Sequence, residues 1–130
     1  MKRFIRQHGG QLAISHVVLL EARNLFSRIT GEEQPLEWQS LEADFGGRLH
    51  VYPMNWDQLH RECNALFANY ARRTALGTFT TAIVASVKLA GGKMFLSFDA
   101  NARALASAEG IGIFPRFEPA ERRLLARLKR

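Results

Sequence analysis

The sequence predicts an α/β fold with a short parallel sheet, and three observations lead to that prediction. Short apolar strand patterns alternate with helical patterns along the chain, as in folds built from strand–helix–strand units. The segment 91–115 shows such a unit most clearly, because an apolar run, a carboxylate, a helical pattern and a second apolar run follow one another. The 130 residues are 47% hydrophobic and 23% charged, which is typical of one globular domain.

Residues 1–53 carry recognisable start and stop residues for each predicted element. Gly9-Gly10 is a helix stop, and Ser15 is a suitable N-cap for the run HVVLLEARNLFSRI. Pro35 lies near the start of the next helix, Gly46-Gly47 ends it, and Pro53 stops the strand that follows. These patterns predict a helix end over 2–8, a strand over 11–14, a helix over 16–29, a helix over 32–45 and a strand over 49–52.

The rest of the chain continues the alternation of helices and strands. Asn55 is a suitable cap for a long helix, whose apolar stripe is formed by Trp56, Leu59, Cys63, Leu66 and Tyr70. The segment 78–89 is small and apolar nearly all round, which is typical of a buried helix. The predicted elements are helix 55–73, helix 78–89, strand 94–98, helix 100–108, strand 111–114 and a basic helix over 118–130.

Charge and composition narrow the class of protein. The net charge of +6 and the pI of about 10.2 come mostly from arginine, which suits recognition of phosphate, so nucleic acid or another acidic partner is expected. The single cysteine, Cys63, cannot form an internal disulfide, and this favours a cytoplasmic protein. No apolar run reaches membrane-spanning length, so no membrane partner is expected. The four histidines lack the spacing of metal ligands.

Two carboxylates are candidates for chemistry. Asp99 follows an apolar strand, and ligands bind outside the carboxyl ends of strands in open α/β sheets; an Asp there also suits a helix N-cap. Glu21 lies in line with Asn24 and Arg28 along the edge of an apolar helix face, where it either enters a cleft or reaches water. Together, the two acids in a basic protein indicate Mg²⁺-assisted cleavage of phosphodiesters. That apolar face is formed by Val18, Ala22, Leu25, Phe26 and Ile29.

Three segments resemble one protein family. HVVLLEARNLF, EWQSLEADFGGRLHVYPMNWDQLHRECNALFANYA and GGKMFLSFDANARALASAEGIGIFP are similar, in this order, to parts of the PIN domain, particularly toxins of the VapC type. The resemblance covers roughly residues 5–115. It implies a PIN-like domain over residues 1–115 that lacks the family's usual first strand and helix, followed by a basic C-terminal helix over 116–130. It implies a three-layer α/β/α fold in which acidic residues hold Mg²⁺ or Mn²⁺ and activate water to cut RNA. Glu21 and Asp99 then become metal ligands, and Asn24 an orienting group.

The sequence departs from the family pattern at two places. The family begins with a strand that ends in Asp, followed by a helix, and no acidic residue precedes Glu21 here. The family also places an Asp where Thr80 stands and a His where Ile83 stands. Thr80 is neutral, so it contacts water or phosphate at most. With two acids of a possible four, we expect RNA cleavage to be very weak or absent.

Two alternatives to a ribonuclease remain at this stage. The chain is then a non-catalytic module that binds RNA or an antitoxin-like protein, or an upstream strand with its Asp belongs to the natural protein. The family's first strand lies in the middle of the sheet, between the strands predicted at 11–14 and 94–98. Without it, these two strands pair directly or borrow a strand, and we expect a homodimer.

Overall fold

A computed structural model describes residues 2–8, 12–31, 36–44 and 50–129. The fold is mixed α/β and mostly helical, with two short pairs of parallel strands. The chain divides into two compact units, Met1–Pro53 and Met54–Arg130. The elements are α1 Lys2–His8, β1 Ile14–Ser15, α2 His16–Ile29, α3 Leu36–Asp44, β2 Val51–Tyr52, α4 Trp56–Tyr70, α5 Thr78–Leu89, β3 Met94–Leu96, α6 Ala100–Ala108, β4 Gly112–Phe114 and α7 Pro119–Lys129.

The described residues of the first unit form one parallel strand pair and three helices. β1 pairs with β2, with Ile14 opposite Val51, and α2 packs on both strands. Ser15 ends β1 and caps α2, because its side chain accepts a hydrogen bond from the Val18 amide at 3.4 Å. α1 contacts α3, and the Phe26 ring of α2 meets the edge of the buried Trp38 of α3 at a centroid distance of 5.8 Å.

The second unit has the larger core. β3 pairs with β4 in parallel, α4 packs on α5, α5 on α6, and α6 on both β4 and α7. Small buried residues on α5 and α6, such as Ala85, Ala102 and Ala106, allow the two helices to pack closely. α7, which the sequence sets apart from residues 1–115, therefore packs within this unit. The side chains that are fully buried are those of Leu66, Thr81, Val84, Ser86, Leu105 and Leu128.

Glycines end the two helices that lead into β3 and β4. After α5, Gly91 takes a φ of +70°, and the Gly92 amide donates to the Val87 carbonyl at 2.9 Å. After α6, Gly110 takes a φ of +80°, and the Ile111 amide donates to the Ala106 carbonyl at 2.9 Å. Both turns satisfy the last helical carbonyls with a residue in the left-handed region, which favours glycine. They direct the chain from each helix into the next strand.

Most predicted elements are confirmed, with shorter ends. The helices predicted at 2–8, 16–29, 78–89 and 100–108 have those bounds, whereas α4 ends at residue 70 because the amides of Arg73 and Thr74 share the Tyr70 carbonyl in a turn. The predicted strand 11–14 is observed as Ile14–Ser15, and the predicted parts at Gly9-Gly10, 32–35 and 45–49 lie outside the described residues. β1 pairs with β2 in the first unit, and β3 pairs with β4 in the second.

Two expectations about burial are wrong. Trp56 is 71% exposed, because helical side chains lean toward the N-terminus and Trp56 is the first residue of α4. On α2 the buried residue is Val17, whereas Leu25 and Ile29 of the predicted apolar face are exposed. The strands on which α2 packs have two residues each, about 7 Å of chain, against about 21 Å for the helix. They therefore cover only part of it.

Within the described residues, no helix is both long enough and apolar enough to cross a lipid bilayer.

Candidate functional site

Asp99 lies beyond the carboxyl end of β3, as predicted, and serves as the N-cap of α6. Its Oδ1 accepts hydrogen bonds from the amides of Asn101 at 2.9 Å and Ala102 at 3.1 Å. Its own amide donates to the Ser97 hydroxyl at 3.0 Å, which fixes the turn between strand and helix. The Asp99 side chain is exposed, and its cap bonds use a single carboxylate oxygen. Asp99 therefore has a structural role as a helix cap, and only one of its two carboxylate oxygens makes the capping hydrogen bonds.

The four predicted site residues are divided between the two units. Glu21 and Asn24 lie in the first unit, exposed and one helical turn apart on the same face of α2. Thr80 and Asp99 lie in the second unit, Thr80 in the first turn of α5 and half-buried. Each unit therefore contains one of the two predicted acids, Glu21 in the first unit and Asp99 in the second.

The donor set for a metal ion is small. In the parts of the chain that the structure describes, no group of three or more His, Cys, Asp or Glu side chains is arranged to hold a metal. Mg²⁺ is held by one or two carboxylates when substrate phosphates and water complete its shell. Asp99, with one oxygen engaged in the helix cap, does not by itself make a resident metal site.

Arg103 organises the loop that carries Asp99, and the sequence analysis missed it. It lies one turn after Asp99 on α6 and is 3% exposed. Its guanidinium donates to the Ser97 carbonyl at 2.9 Å, to the Arg116 carbonyl at 3.0 Å and, through Nε, to Glu121 Oε2 at 2.8 Å. The Phe117 ring lies 5.5 Å from it. A charge can be buried when its donors are satisfied in this way.

Arg103 also sets the charge state of its partner. The hydrogen bond from Arg103 lowers the pKa of Glu121, and the hydrogen bond from the Glu118 amide lowers it further. The pattern that could have revealed this pair is a lone arginine in the helix ANARALASA, otherwise made of small residues, followed by an acid in the first turn of the next helix. The three contacts hold the end of β3 and the start of α7 together.

A second charged cluster lies at the opposite end of α6. Lys88 Nζ is 2.5 Å from Glu62 Oε1 and 2.7 Å from Glu109 Oε1, and the Tyr70 hydroxyl donates to Glu109 Oε2. Burial raises the pKa of Tyr70 to about 12, helped by the hydrogen bond to Glu109. Burial would raise the pKa of Glu109, but hydrogen bonds from Lys88 and Tyr70 lower it instead. The cluster joins α4, α5 and the end of α6.

Cys63 is a core residue and not a nucleophile. Its side chain is buried on the face of α4 that packs inward. Burial raises the pKa of the thiol, and the neighbouring Glu62 carboxylate raises it further. A thiol with a raised pKa stays protonated near neutral pH, and it is then a poor nucleophile.

The net charge is confined to one unit. Residues 1–53 contain six Lys and Arg and six Asp and Glu, so this unit is formally neutral. Residues 54–130 contain twelve Lys and Arg against six Asp and Glu, which accounts for the whole charge of +6. Within 54–129, three of the six acids (Glu62, Glu109 and Glu121) face Lys88 and Arg103. The exposed cations of this unit therefore greatly outnumber the remaining acids.

Comparisons with protein-family models, with curated proteins and with solved structures found no match to this chain. The similarity to the PIN domain rests on the residues named above and stays a prediction.

Proposed function

We propose that the chain is a PIN-like protein of the VapC type that binds RNA through its second unit and cleaves it slowly or not at all. The observation that carries this proposal is the confinement of the whole net charge to residues 54–130. Phosphate contacts supply most of the sequence-independent affinity of proteins for nucleic acids, and arginine fits phosphate through two parallel hydrogen bonds. RNA is the polyanion that the family resemblance implies. We place the protein in the cytoplasm.

The finer fold belongs to this proposal. A three-layer α/β/α fold whose sheet lacks its central strand would leave two strand pairs, and the parallel pairs β1–β2 and β3–β4 support that arrangement. Parallel strands are ordinarily part of larger sheets covered on both faces, so two-stranded parallel pairs are unusual on their own. A second copy of the chain, or an antitoxin-like protein, would complete such a sheet.

The shortage of acids argues against rapid hydrolysis. Thr80 replaces a charged ligand at the start of α5, and Asp99 uses one oxygen as a helix cap. Each missing charged group removes on the order of two to three powers of ten in rate. Binding of phosphates requires only the exposed cations, so the absence of these acidic groups does not prevent it.

The test is RNA binding with and without a divalent metal. Fluorescence anisotropy with a single-stranded RNA of about 20 nucleotides, longer than the site of a small binding module, measures affinity in EDTA and in Mg²⁺. We expect similar binding in both and no cleavage product on a gel. Absence of binding to RNA would overturn the proposal. Fast cleavage that EDTA and Asp99→Ala both abolish would replace it with the enzyme.

The second candidate function is metal-dependent cleavage of RNA, with Glu21 and Asp99 holding Mg²⁺ or Mn²⁺. It is favoured by the position of Asp99 at the carboxyl end of β3. Thr80→Asp tests it directly, because an acid in the first turn of α5 is favourable for the helix and restores the missing charge. Under this candidate, Thr80→Asp cleaves RNA faster than the wild type in Mn²⁺, whereas Thr78→Asp does not.

A further inference from the structure

The carboxyl-terminal ends of α4 and α7 are held side by side. Arg73 follows the last turn of α4, and its Nη1 donates to the Leu128 carbonyl at 3.0 Å. Leu128 itself is 1% exposed, so the last turn of α7 is anchored in the core of the second unit. Residues on either side of this contact therefore occupy one region of the surface.

Four exposed cations lie in that region, and we call them the terminal basic cluster: Arg72, Arg73, Arg127 and Lys129. Two of the nearest acids, Glu62 and Glu109, share the single cation Lys88, so that group leaves at most one negative charge to offset the cluster. Glu109 binds Lys88 and the Tyr70 hydroxyl, and Glu62 binds Lys88. Glu118 and Glu121 lie at the opposite end of α7.

Helix dipoles account for only part of this charge. The carboxyl end of a helix is equivalent to about half a negative charge, so two such ends balance about one cation. The cluster holds four cations, and after the helix ends and the net negative charge of the Lys88 group are subtracted, an excess of about two positive charges remains. Mutual repulsion of these charges is relieved when an anion binds.

We propose that the terminal basic cluster is a docking surface for the phosphate backbone of single-stranded RNA; this rests on the proposed RNA-binding function. Three of the four cations are arginines, whose planar guanidinium matches phosphate geometry. A protein partner would need an apolar centre to its interface. Across residues 54–129, the large exposed apolar side chains lie in other segments, at Trp56, Phe79, Met94 and Phe98.

The surface is separate from Asp99. Tyr70, three residues before Arg73, bonds to Glu109 at the carboxyl end of α6, whereas Asp99 caps the amino end of the same helix. The nine residues of α6 span about 13 Å, so the two ends of the helix are well separated. RNA bound to the cluster therefore uses phosphates different from any that lie at Asp99.

The experiment compares two triple variants of the full chain that lose the same charge. The cluster variant is Arg72→Gln, Arg127→Gln and Lys129→Gln, which keeps the Arg73 contact with α7. The control is Arg61→Gln, Lys93→Gln and Arg116→Gln, since these three side chains are also exposed. Anisotropy with fluorescein-labelled RNA of about 20 nucleotides measures affinity across a salt series, and circular dichroism checks folding.

We expect the cluster variant to bind RNA at least about tenfold more weakly than the wild type. The slope of log K against the logarithm of the salt concentration should become shallower by about two. The control should lose much less affinity. Equal losses would overturn the docking surface and leave the proposed function standing, whereas no RNA binding by the wild type would overturn both. Arg72→Lys with Arg127→Lys keeps the charge and should retain most of the affinity. If polyglutamate binds the wild type more tightly than RNA does and needs the same residues, the partner is an acidic protein and the RNA assignment fails.

Discussion

The two units of this chain differ in net charge and in the size of the core that their described residues form. The first unit is formally neutral and exposes apolar side chains on α2, with Ile29 71% exposed. The second unit carries the entire net charge, packs four helices around fully buried side chains and engages two of its cations with acids. Because excess positive charge favours polyanions, we expect such a partner at the second unit, whereas large exposed apolar side chains occur in both units.

The largest expected effect is on the second unit, from Arg103→Met. This substitution removes the donors to the Ser97 and Arg116 carbonyls from a buried site, and we expect a loss of about 3 kcal/mol in the free energy of unfolding. Urea denaturation of the full chain measures it. Arg122→Met is the matched control on exposed surface, with an expected change within about 0.5 kcal/mol. Equal stability of the two variants would contradict the structural role of Arg103.

The next effect concerns the Lys88 cluster and alkaline pH. The pKa of Tyr70 is raised to about 12 and the pKa of Lys88 is raised by hydrogen bonds to Glu109 and Glu62, which outweigh its burial. A group whose pKa is raised in the folded state stabilises the fold at pH values below its unfolded-state pKa. This contribution is lost as the pH rises through the folded-state pKa. Through Tyr70, stability should therefore fall between about pH 10 and about pH 12, and the contribution of Lys88 is lost as the pH rises through its raised pKa.

Tyr70→Phe separates the two groups. It removes the tyrosine titration and leaves Lys88 in place, so unfolding curves in urea at increasing pH should show a shallower alkaline decline than the wild type. Tyr52→Phe, on the exposed strand β2 of the first unit, should leave the decline unchanged. A decline of the same steepness in Tyr70→Phe would show that Tyr70 does not contribute.

At Asp99, two substitutions distinguish a cap from a metal ligand. Asp99→Ala loses the hydrogen bonds to the amides of Asn101 and Ala102, and we expect a cost of about 1 kcal/mol. Asp99→Asn keeps an acceptor there and should cost only a few tenths. Thermal unfolding in EDTA measures both. If Mg²⁺ raises the melting temperature of the wild type but not of Asp99→Asn, the carboxylate holds a metal in addition to capping α6.

The smallest expected effect on stability is in the first unit. Leu25→Glu with Ile29→Glu changes exposed positions of α2, so we expect a change within about 0.5 kcal/mol in the free energy of unfolding. The same variant should be monomeric by light scattering at concentrations where the wild type is a dimer. A wild type that stays monomeric at high concentration would contradict the expected homodimer.

Local patterns predicted the element ends well because their causes are local. Ser15 and Asn55 cap their helices through side chains that bind the amide three residues further along the chain. The glycines at 91 and 110 supply left-handed turns that few other residues adopt. The cap role of Asp99 was recognised for the same reason. Trp56 belongs to the apolar stripe of α4 but is exposed, because helical periodicity describes a face of the helix and takes no account of where the helix begins.

By itself, the sequence determined the order and type of most elements, the parallel pairing, the position of Asp99 at a strand end and the excess of arginine. Only the tertiary structure decided that Arg103 is buried against Glu121, that Lys88 lies between two carboxylates, and that Arg73 joins the ends of α4 and α7. These contacts link residues 18 to 55 positions apart. Caps and helical faces depend on neighbours within about one turn, whereas the partner of a charge depends on which helices pack together.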